Sequence, residues 1–324
     1  MTGPMNTRLL RASPQQLRAF EVTARLGSVT QAAREIHVSQ PTVSVHLREL
    51  SALVGEALFE PIGRGIRLTP TGEALQQTVA EVNACWQRFE SRLADMHGLL
   101  SGRLRIAAVT TAEYFVPDLL GPFAQLHPGV EIDLAVENRD RVIARLHDCA
   151  DELAVMMLPP DDLPLQNLPF MDNPLVVIGP QQHALADGPP VPLRQLTHER
   201  WLMREPGSGT RLVTERHFSA RGFSPRIAMS LGSNEALKHA VGAGLGLAVI
   251  SALSLRWGAQ RADAADSCPW VRLPVEGFPI QRQWSVVWRT DRPLSAPAAR
   301  FVAYLQQVHN ENPASADWLA CQAR

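Results

Sequence analysis

Three short segments of this 324-residue chain concentrate the groups best suited to bind an anion. Each follows an apolar stretch typical of a strand and begins a stretch typical of a helix. They are Thr110-Thr111, Gly207-Ser208-Gly209-Thr210 and Ser233-Asn234-Glu235. Free backbone N–H groups and the positive end of a dipole lie at such helix starts and favour a negatively charged ligand. If the three segments converge, they form a site for an anionic small molecule.

Ordinary helix capping is the alternative interpretation of each segment, because Ser, Thr and Asn cap helices in most folds. Nucleotide-binding motifs are excluded. The segment from Gly207 to Thr210 lacks the Gly-Lys-Ser/Thr of a P-loop, and the glycines of Gly242-Ala243-Gly244-Leu245-Gly246 have the wrong spacing for a dinucleotide fold.

No catalytic or metal-binding set is visible in the sequence. Ser208 has no Gly-x-Ser-x-Gly setting, and the ten histidines show no His-Glu-x-x-His spacing. The four cysteines lie far apart, so neither a zinc ribbon nor a disulfide framework is indicated. We therefore expect neither an enzyme nor a metalloprotein.

Residues 12–69 are predicted to form a winged helix-turn-helix, with the helix-turn-helix itself near 29–48. Ser13, Ser28 and Ser39 are placed as N-caps of three successive helices. Val43, Leu47, Leu50 and Val54 form a buried stripe on the third helix, so Pro41, Val45 and Arg48 face outward with Thr42 and Ser44 on the flanks.

A glycine-tipped hairpin follows, and it carries Arg64 and Arg67 in the position of a wing. Residues 1–72 hold eight arginines and five glutamates, a local charge of +3 on a chain whose net charge is -1. This arrangement predicts DNA binding. A three-helix packing module with solvated arginines is the alternative.

Residues 70–100 are predicted to form one long helix that dimerises. Its apolar residues alternate in steps of four and three, a 3.5-residue repeat that keeps one seam facing a partner helix. The seam residues are Leu75, Val79, Val82, Trp86, Phe89, Leu93 and Met96.

Residues 103–310 alternate between strand and helix patterns, which predicts a largely parallel sheet covered by helices. Two such sets give two lobes with a cleft between them: lobe 1 at about 103–178 and 282–310, lobe 2 at about 179–281, and a tail over 311–324. The Thr110-Thr111 segment is expected to open a helix that runs to about residue 127. With no signal peptide and no apolar run long enough to span a bilayer, we expect a soluble cytoplasmic protein.

A set of short motifs runs through the first seventy residues: Ala32-Ala33, Ser39-Gln40-Pro41, Val43-Ser44, Leu58-Phe59 and Leu68-Thr69-Pro70. Through these motifs the chain resembles the LysR-type transcriptional regulators. The resemblance implies an α/β multidomain chain: a winged helix-turn-helix, a linker helix, and a periplasmic-binding-protein-like effector domain. It also implies promoter DNA as a partner, homodimers that commonly assemble into homotetramers, and RNA polymerase as a further partner that the family allows.

The residues expected at the DNA combine this resemblance with the outward face and the wing. They are Thr30, Gln31, Ser39, Gln40, Pro41, Thr42, Ser44, Val45, Arg48, Arg64 and Arg67. Many family members carry arginine where this chain has Val45, so an apolar contact with a thymine methyl replaces a guanine contact in our expectation.

The effector domain resembles that of the RuBisCO-operon regulators, which control carbon-dioxide fixation. The similar segments include Thr110–Phe115, Arg204–Arg211 and Leu231–Ala236, and they add Tyr114 to the expected effector site. The resemblance implies a phosphorylated metabolite or NADPH as effector and no bound cofactor. Glu113 stands where members often carry lysine, so a carboxylate or uncharged effector serving another pathway is the alternative. A solute-binding protein or a small-molecule enzyme is a more distant alternative for the function.

Overall fold

A computed structural model describes residues 11–63, 65–96, 100–255 and 269–311. The chain divides into two compact units, Met1–Trp86 and Gln87–Arg324. Arg64 and the tail beyond residue 311, both named in our sequence predictions, lie outside the described residues. The side chains of the seam residues Leu93 and Met96 also lie outside them.

The N-terminal unit has the predicted winged helix-turn-helix. Ser13, Ser28 and Ser39 each accept a hydrogen bond from the backbone N–H three residues later, and so begin the first three helices. The elements are α1 (Pro14–Leu26), α2 (Val29–Glu35), α3 (Gln40–Val54), the hairpin strands β1 (Phe59–Ile62) and β2 (Gly65–Leu68), and α4 (Pro70–Met96).

The first three turns of α4 belong to the core of this unit, which corrects part of the predicted dimer seam. Val79 is only 2% exposed, and Leu75 is partly buried against the same cluster as Phe20 and Leu50. These two side chains fill the space above α1 and α3, so they are not free to face a partner helix.

The next seam residues are exposed, in contrast to Leu75 and Val79. Val82 is 38%, Trp86 64% and Phe89 52% exposed. Large apolar side chains with this much exposure are unusual on a folded unit, and here they follow one another at intervals of four and three residues.

The C-terminal unit contains two five-stranded sheets, which define lobe 1 and lobe 2. Lobe 1 has the strand order β4-β3-β5-β12-β6 and lobe 2 the order β11-β7-β10-β8-β9. The strands are β3 (Ser101–Val109), β4 (Gly129–Glu137), β5 (Leu153–Met156), β6 (Leu165–Asp172), β7 (Leu175–Pro180), β8 (Arg200–Arg204), β9 (Arg226–Leu231), β10 (Leu247–Ser251), β11 (Trp270–Leu273) and β12 (Gln283–Arg289).

Helices cover both sheets, and short 3₁₀ segments lie between elements of the described part of the chain. The helices are α5 (Val116–Leu126), α6 (Arg139–His147), α7 (Gly209–Ser219), α8 (Asn234–Gly242) and α9 (Ala296–Glu311), and the 3₁₀ segments are Thr110–Tyr114 and Leu193–Leu196.

Both sheets are mixed and not largely parallel, which corrects our prediction. In lobe 1, β12 pairs antiparallel with β5 and β6; in lobe 2, β7 pairs antiparallel with β10 and β11. The chain crosses from one sheet to the other and later returns, and the first strand after each crossing, β7 and then β12, runs against the other strands of its sheet.

The lobe boundary also differs from the prediction. Strand β7 hydrogen-bonds within the sheet of lobe 2, so the first crossing lies at Asn173-Pro174 and not near residue 178. The return crossing lies between β11 and β12. Sequence patterns missed β6 and β11 because both lack an apolar run bounded by turn residues, the signal on which we relied.

Gly246 allows β10 to lie close to β8. A Cβ atom at this position would stand 2.4 Å from the Arg200 carbonyl oxygen, a backbone atom that cannot swing aside. We expect Gly246→Ala to lower the free energy of unfolding by about 1–3 kcal/mol, the usual cost of overpacking. Urea unfolding of the full chain measures it.

Gly121, in the interior of α5, provides the control because a Cβ atom there meets nothing within 4 Å. Gly121→Ala should be neutral or stabilising by up to about 1 kcal/mol, since alanine favours helix. Equal effects of the two substitutions would contradict the role we give to Gly246.

Candidate functional site

The exposed face of α3 carries the residues predicted to read DNA. Gln40, Pro41, Val45 and Arg48 are exposed, with Val45 42% exposed. The Gln40 amide donates to the Ser44 hydroxyl at 3.2 Å. This hydrogen bond orients two polar side chains one turn apart on the same face, as a base-reading surface requires.

The start of α3 and the neighbouring helix α2 are built for close approach. The Ser39 hydroxyl lies 2.7 Å from that of Thr42 and accepts from the Thr42 backbone N–H. Ala32 and Ala33 are buried between the helices, whereas Thr30 and Gln31 at the start of α2 are exposed. Most of the residues predicted for this surface are therefore exposed, whereas Thr42 and Ser44 are partly buried.

The wing brings an arginine to the hairpin formed by β1 and β2, but its charge is already paired. Arg67 Nε donates to Glu60 Oε1 at 2.6 Å across the hairpin. Both side chains are exposed, so the pair is weak and a phosphate can compete for the guanidinium.

Two of the three predicted anion-binding segments, together with part of the third, meet between lobes 1 and 2. Thr111, Ser208 and Thr210 line one small cavity of about 10 Å³, room for about a single water. Asn234 joins them because its amide donates to the Thr111 hydroxyl at 3.2 Å, from lobe 2 to lobe 1. We call this region the cleft, and in this structure it is closed.

Arg204, which we had not predicted, is the central charge of the cleft. Its guanidinium is almost fully buried and binds Glu205 through two hydrogen bonds of 2.8 and 3.1 Å. It also donates to Asn234 Oδ1 at 2.6 Å. Asn234 therefore links the buried cation of lobe 2 to Thr111 of lobe 1.

The lobes also approach each other at Gly207. This residue has a positive φ of 84°, and a Cβ atom there would lie 2.8 Å from Asp140 Oδ2 on α6 of lobe 1. The backbone conformation favours glycine at this position, whereas the exposed Asp140 carboxylate can turn away from a Cβ atom.

The three segments differ in how they begin helices, and the helix expected at Thr110-Thr111 is wrong. Thr110 and Thr111 do not open a long helix: they lie in a 3₁₀ turn, and α5 begins only at Val116. Thr110 instead donates to the Glu137 carbonyl at 3.2 Å, while Ser208 stands before α7 without a side-chain capping bond. Ser233 is an ordinary cap of α8, because its hydroxyl accepts from the Ala236 backbone N–H.

A second group joins the lobes beside Asn234, outside the residues that line the cavity; it is built around Glu235, and we call it the mouth of the cleft. The Glu235 Oε1 atom accepts from the Tyr114 hydroxyl at 2.6 Å and lies 2.7 Å from Lys238 Nζ. Lys238 is also 5.4 Å from the centre of the Tyr114 ring and donates to the Ser254 carbonyl. Our predictions included Tyr114 and Glu235 but missed Lys238, although it is the only lysine of the chain.

The carboxylates of this group have displaced pKa values. Burial and the nearby charge of Glu235 raise the pKa of Glu113, and Arg204, Tyr114 and Lys238 oppose the shift. Burial also acts to raise the pKa of Glu235, but hydrogen bonds from Lys238 and Tyr114 outweigh it and hold the pKa below the usual value. Glu235 is therefore charged near neutral pH.

In the described part of the chain, no helix is both long and apolar enough to cross a membrane. Within the same residues, no three His, Cys, Asp or Glu side chains are grouped in a way that could hold a metal ion.

Comparison with protein families defines the class of protein. Residues 14–73 match the family described as "Bacterial regulatory helix-turn-helix protein, lysR family", and residues 97–310 match "LysR substrate binding domain". The chain belongs to the LysR family of DNA-binding transcriptional regulators, and it is a regulator and not an enzyme.

Individual relatives narrow the class. The chain is 39% identical over 294 residues to the HTH-type transcriptional activator CmpR of Synechocystis, covering 91% of this chain and 95% of that protein. It is 40% identical over 294 residues to the RuBisCO operon transcriptional regulator of Allochromatium vinosum, covering 90% and 95%.

A solved structure resembles the C-terminal unit. The regulatory domain of Synechocystis CcmR, in complex with 2-PG (2-phosphoglycolate), is 38% identical, with a TM-score of 0.60. The match covers 65% of this chain and 98% of that one.

Asn234 should be more important for stability than its capping neighbour. Asn234→Ala leaves a buried guanidinium with one acceptor fewer and removes the hydrogen bond between the lobes, so we expect a loss of about 2–3 kcal/mol in the free energy of unfolding. Ser233→Ala removes a helix cap and should cost about 1 kcal/mol. Urea unfolding tests both, and an equal or smaller loss for Asn234→Ala would refute the linking role.

Proposed function

We propose that this chain regulates genes of carbon-dioxide fixation, binding promoter DNA through α3 and the wing and responding to a small anionic metabolite in the cleft. The observation that carries this proposal is the 40% identity, over nine-tenths of the chain, to a RuBisCO operon regulator. The promoter DNA lies in the cytoplasm, and so does the proposed site of action.

The DNA-contacting residues follow from exposure and chemistry. Gln40 and Ser44 offer hydrogen-bonding groups to base edges, and Val45 offers an apolar contact to a thymine methyl. Arg48 and the wing arginines Arg64 and Arg67 supply phosphate contacts, which hold the protein on the duplex without reading sequence.

Self-association is the second part of the proposal. Val82, Trp86 and Phe89 form an exposed apolar strip on α4, and an identical strip on another copy would cover it as in a coiled coil. A DNA reader of this type needs two copies for two half-sites. We propose a homodimer through this strip, assembled further into a tetramer.

The effector is the third part. Lys238 is a buried cation whose carboxylate partner is exposed, and a phosphorylated metabolite supplies acceptors that an ammonium binds well. The 2-PG bound by the CcmR domain is an anion of this kind. A cavity of about 10 Å³ holds no metabolite, so binding requires the lobes to separate or the side chains at the mouth to move.

An uncharged or carboxylate effector of another pathway is the second candidate. Glu113 favours it, since a carboxylate at the cleft repels a phosphate.

Sequence reading on α3 can be separated from phosphate binding. We expect Ser44→Ala to weaken binding to an operator selected from random DNA by about 1–3 kcal/mol while leaving scrambled DNA unaffected, because it removes a base contact. Arg67→Gln should weaken binding to both duplexes alike and reduce the salt dependence. Fluorescence anisotropy over a salt series measures both effects.

Equal losses on the two duplexes for Ser44→Ala would remove this residue from the reading surface. Glu60→Gln is the matched control for the wing, since it releases Arg67 from its carboxylate. It should tighten binding to both duplexes.

The anionic effector predicts a definite pH dependence. The raised pKa of Glu113 means that this carboxyl gains its proton at a higher pH than usual, so repulsion of an anion weakens as pH falls. We expect Glu113→Gln to tighten 2-phosphoglycolate binding most at pH 8 and less towards pH 5. Calorimetric titration measures the Kd of wild type and variant at each pH. The ratio of the two Kd values does not depend on the protonation of the ligand, which is the same for both proteins.

A gain in affinity that does not depend on pH would show that Glu113 does not titrate in this range. Weaker binding by Glu113→Gln would favour an effector that needs this carboxylate, as the second candidate allows.

A further inference from the structure

The mouth of the cleft already holds one carboxylate bound in the manner of a ligand. A single oxygen, Glu235 Oε1, receives the Tyr114 hydroxyl at 2.6 Å and the Lys238 ammonium at 2.7 Å. Tyr114 belongs to lobe 1 and Lys238 to lobe 2, so this oxygen joins the two lobes. An anionic ligand that closes the cleft would need such donors from both sides.

The carboxylate and its two donors differ in their freedom to move. The Glu235 side chain is 53% exposed, whereas that of Lys238 is 4% exposed and Tyr114 as a whole is 8% exposed. Glu235 can therefore turn out into water at small cost. The donors are fixed, Lys238 by the Ser254 carbonyl and the face of the Tyr114 ring, and stay behind.

We propose that Glu235 is a resident competitor of the effector: its carboxylate occupies the Tyr114 and Lys238 donors and is displaced when an anionic ligand takes them. This inference rests on the proposed anionic effector. It adds that Glu235 sets the effector concentration needed to occupy the site. The carboxylate also holds the lobes together in the absence of the ligand.

The choice of lysine is consistent with this exchange. All 30 other Lys+Arg residues of the chain are arginine. A guanidinium binds a carboxylate through a rigid fork, whereas an ammonium is a compact point charge that accepts one oxygen in place of another. The low pKa of Glu235 keeps the competitor charged near neutral pH.

The direction of one measured change tests the inference. We expect Glu235→Gln in the full chain to bind 2-phosphoglycolate about tenfold more tightly than wild type in calorimetric titration, within the usual range of such couplings. Glu199→Gln, at the opposite end of β8 from Arg204, removes the same charge from lobe 2 outside the cleft and should leave the Kd within about twofold.

A double-mutant cycle separates shared donors from general charge repulsion. Tyr114→Phe lacks the hydroxyl donor. In this background the gain in affinity for 2-phosphoglycolate from Glu235→Gln should shrink several-fold, because only the Lys238 donor is left for the substitution to release. An undiminished gain would mean that Glu235 acts only through its charge, and the inference would be overturned.

The outcomes for the inference and for the proposed function differ. Wild type that binds 2-phosphoglycolate, with Glu235→Gln binding equally or more weakly, overturns the inference and leaves the anionic effector in place. A wild type and a variant that bind neither 2-phosphoglycolate nor inorganic phosphate overturn both. Tight binding by the variant alone supports the inference, since the competitor then masks the site completely.

Discussion

The cost of burying the Arg204 guanidinium governs the organisation of the cleft. A charge removed from water must be paired and hydrogen-bonded, or the folded state loses several kcal/mol. Glu205 supplies the opposite charge and Asn234 a further acceptor, and the amide of Asn234 then reaches Thr111 in the other lobe. The contact between the lobes is thus a consequence of satisfying one buried cation.

At the mouth of the cleft a buried cation is again paired with a carboxylate, but that carboxylate is not buried. Lys238 is as buried as Arg204, but its partner Glu235 remains half exposed and can leave. Glu205 therefore keeps Arg204 paired, whereas Glu235 can give up Lys238 to a ligand. In the proposed exchange, the replaceable ion pair gives the cleft a ligand-free and a ligand-bound arrangement, and a ligand with unequal affinity for the two shifts their balance, as a regulatory switch requires.

The N-terminal unit shows preorganisation of another kind. Capping serines fix the start of each helix, and the Gln40–Ser44 hydrogen bond orients polar groups on α3 before any DNA arrives. The exposed strip of Val82, Trp86 and Phe89 begins only where α4 leaves the core that holds Leu75 and Val79. The first turns of this helix therefore pack in the core, and the turns that follow expose their apolar residues.

The sequence by itself determined the helix-turn-helix, the wing, the alternation of strands and helices, and the segments that meet in the cleft. Local signals sufficed there, because caps, glycine turns and apolar spacing act within a few residues. The tertiary structure alone decided the antiparallel strands, the crossing at Asn173, and the roles of Arg204 and Lys238. Those depend on contacts such as Tyr114 with Glu235, 121 residues apart, and no local pattern encodes which distant donor a carboxylate will meet.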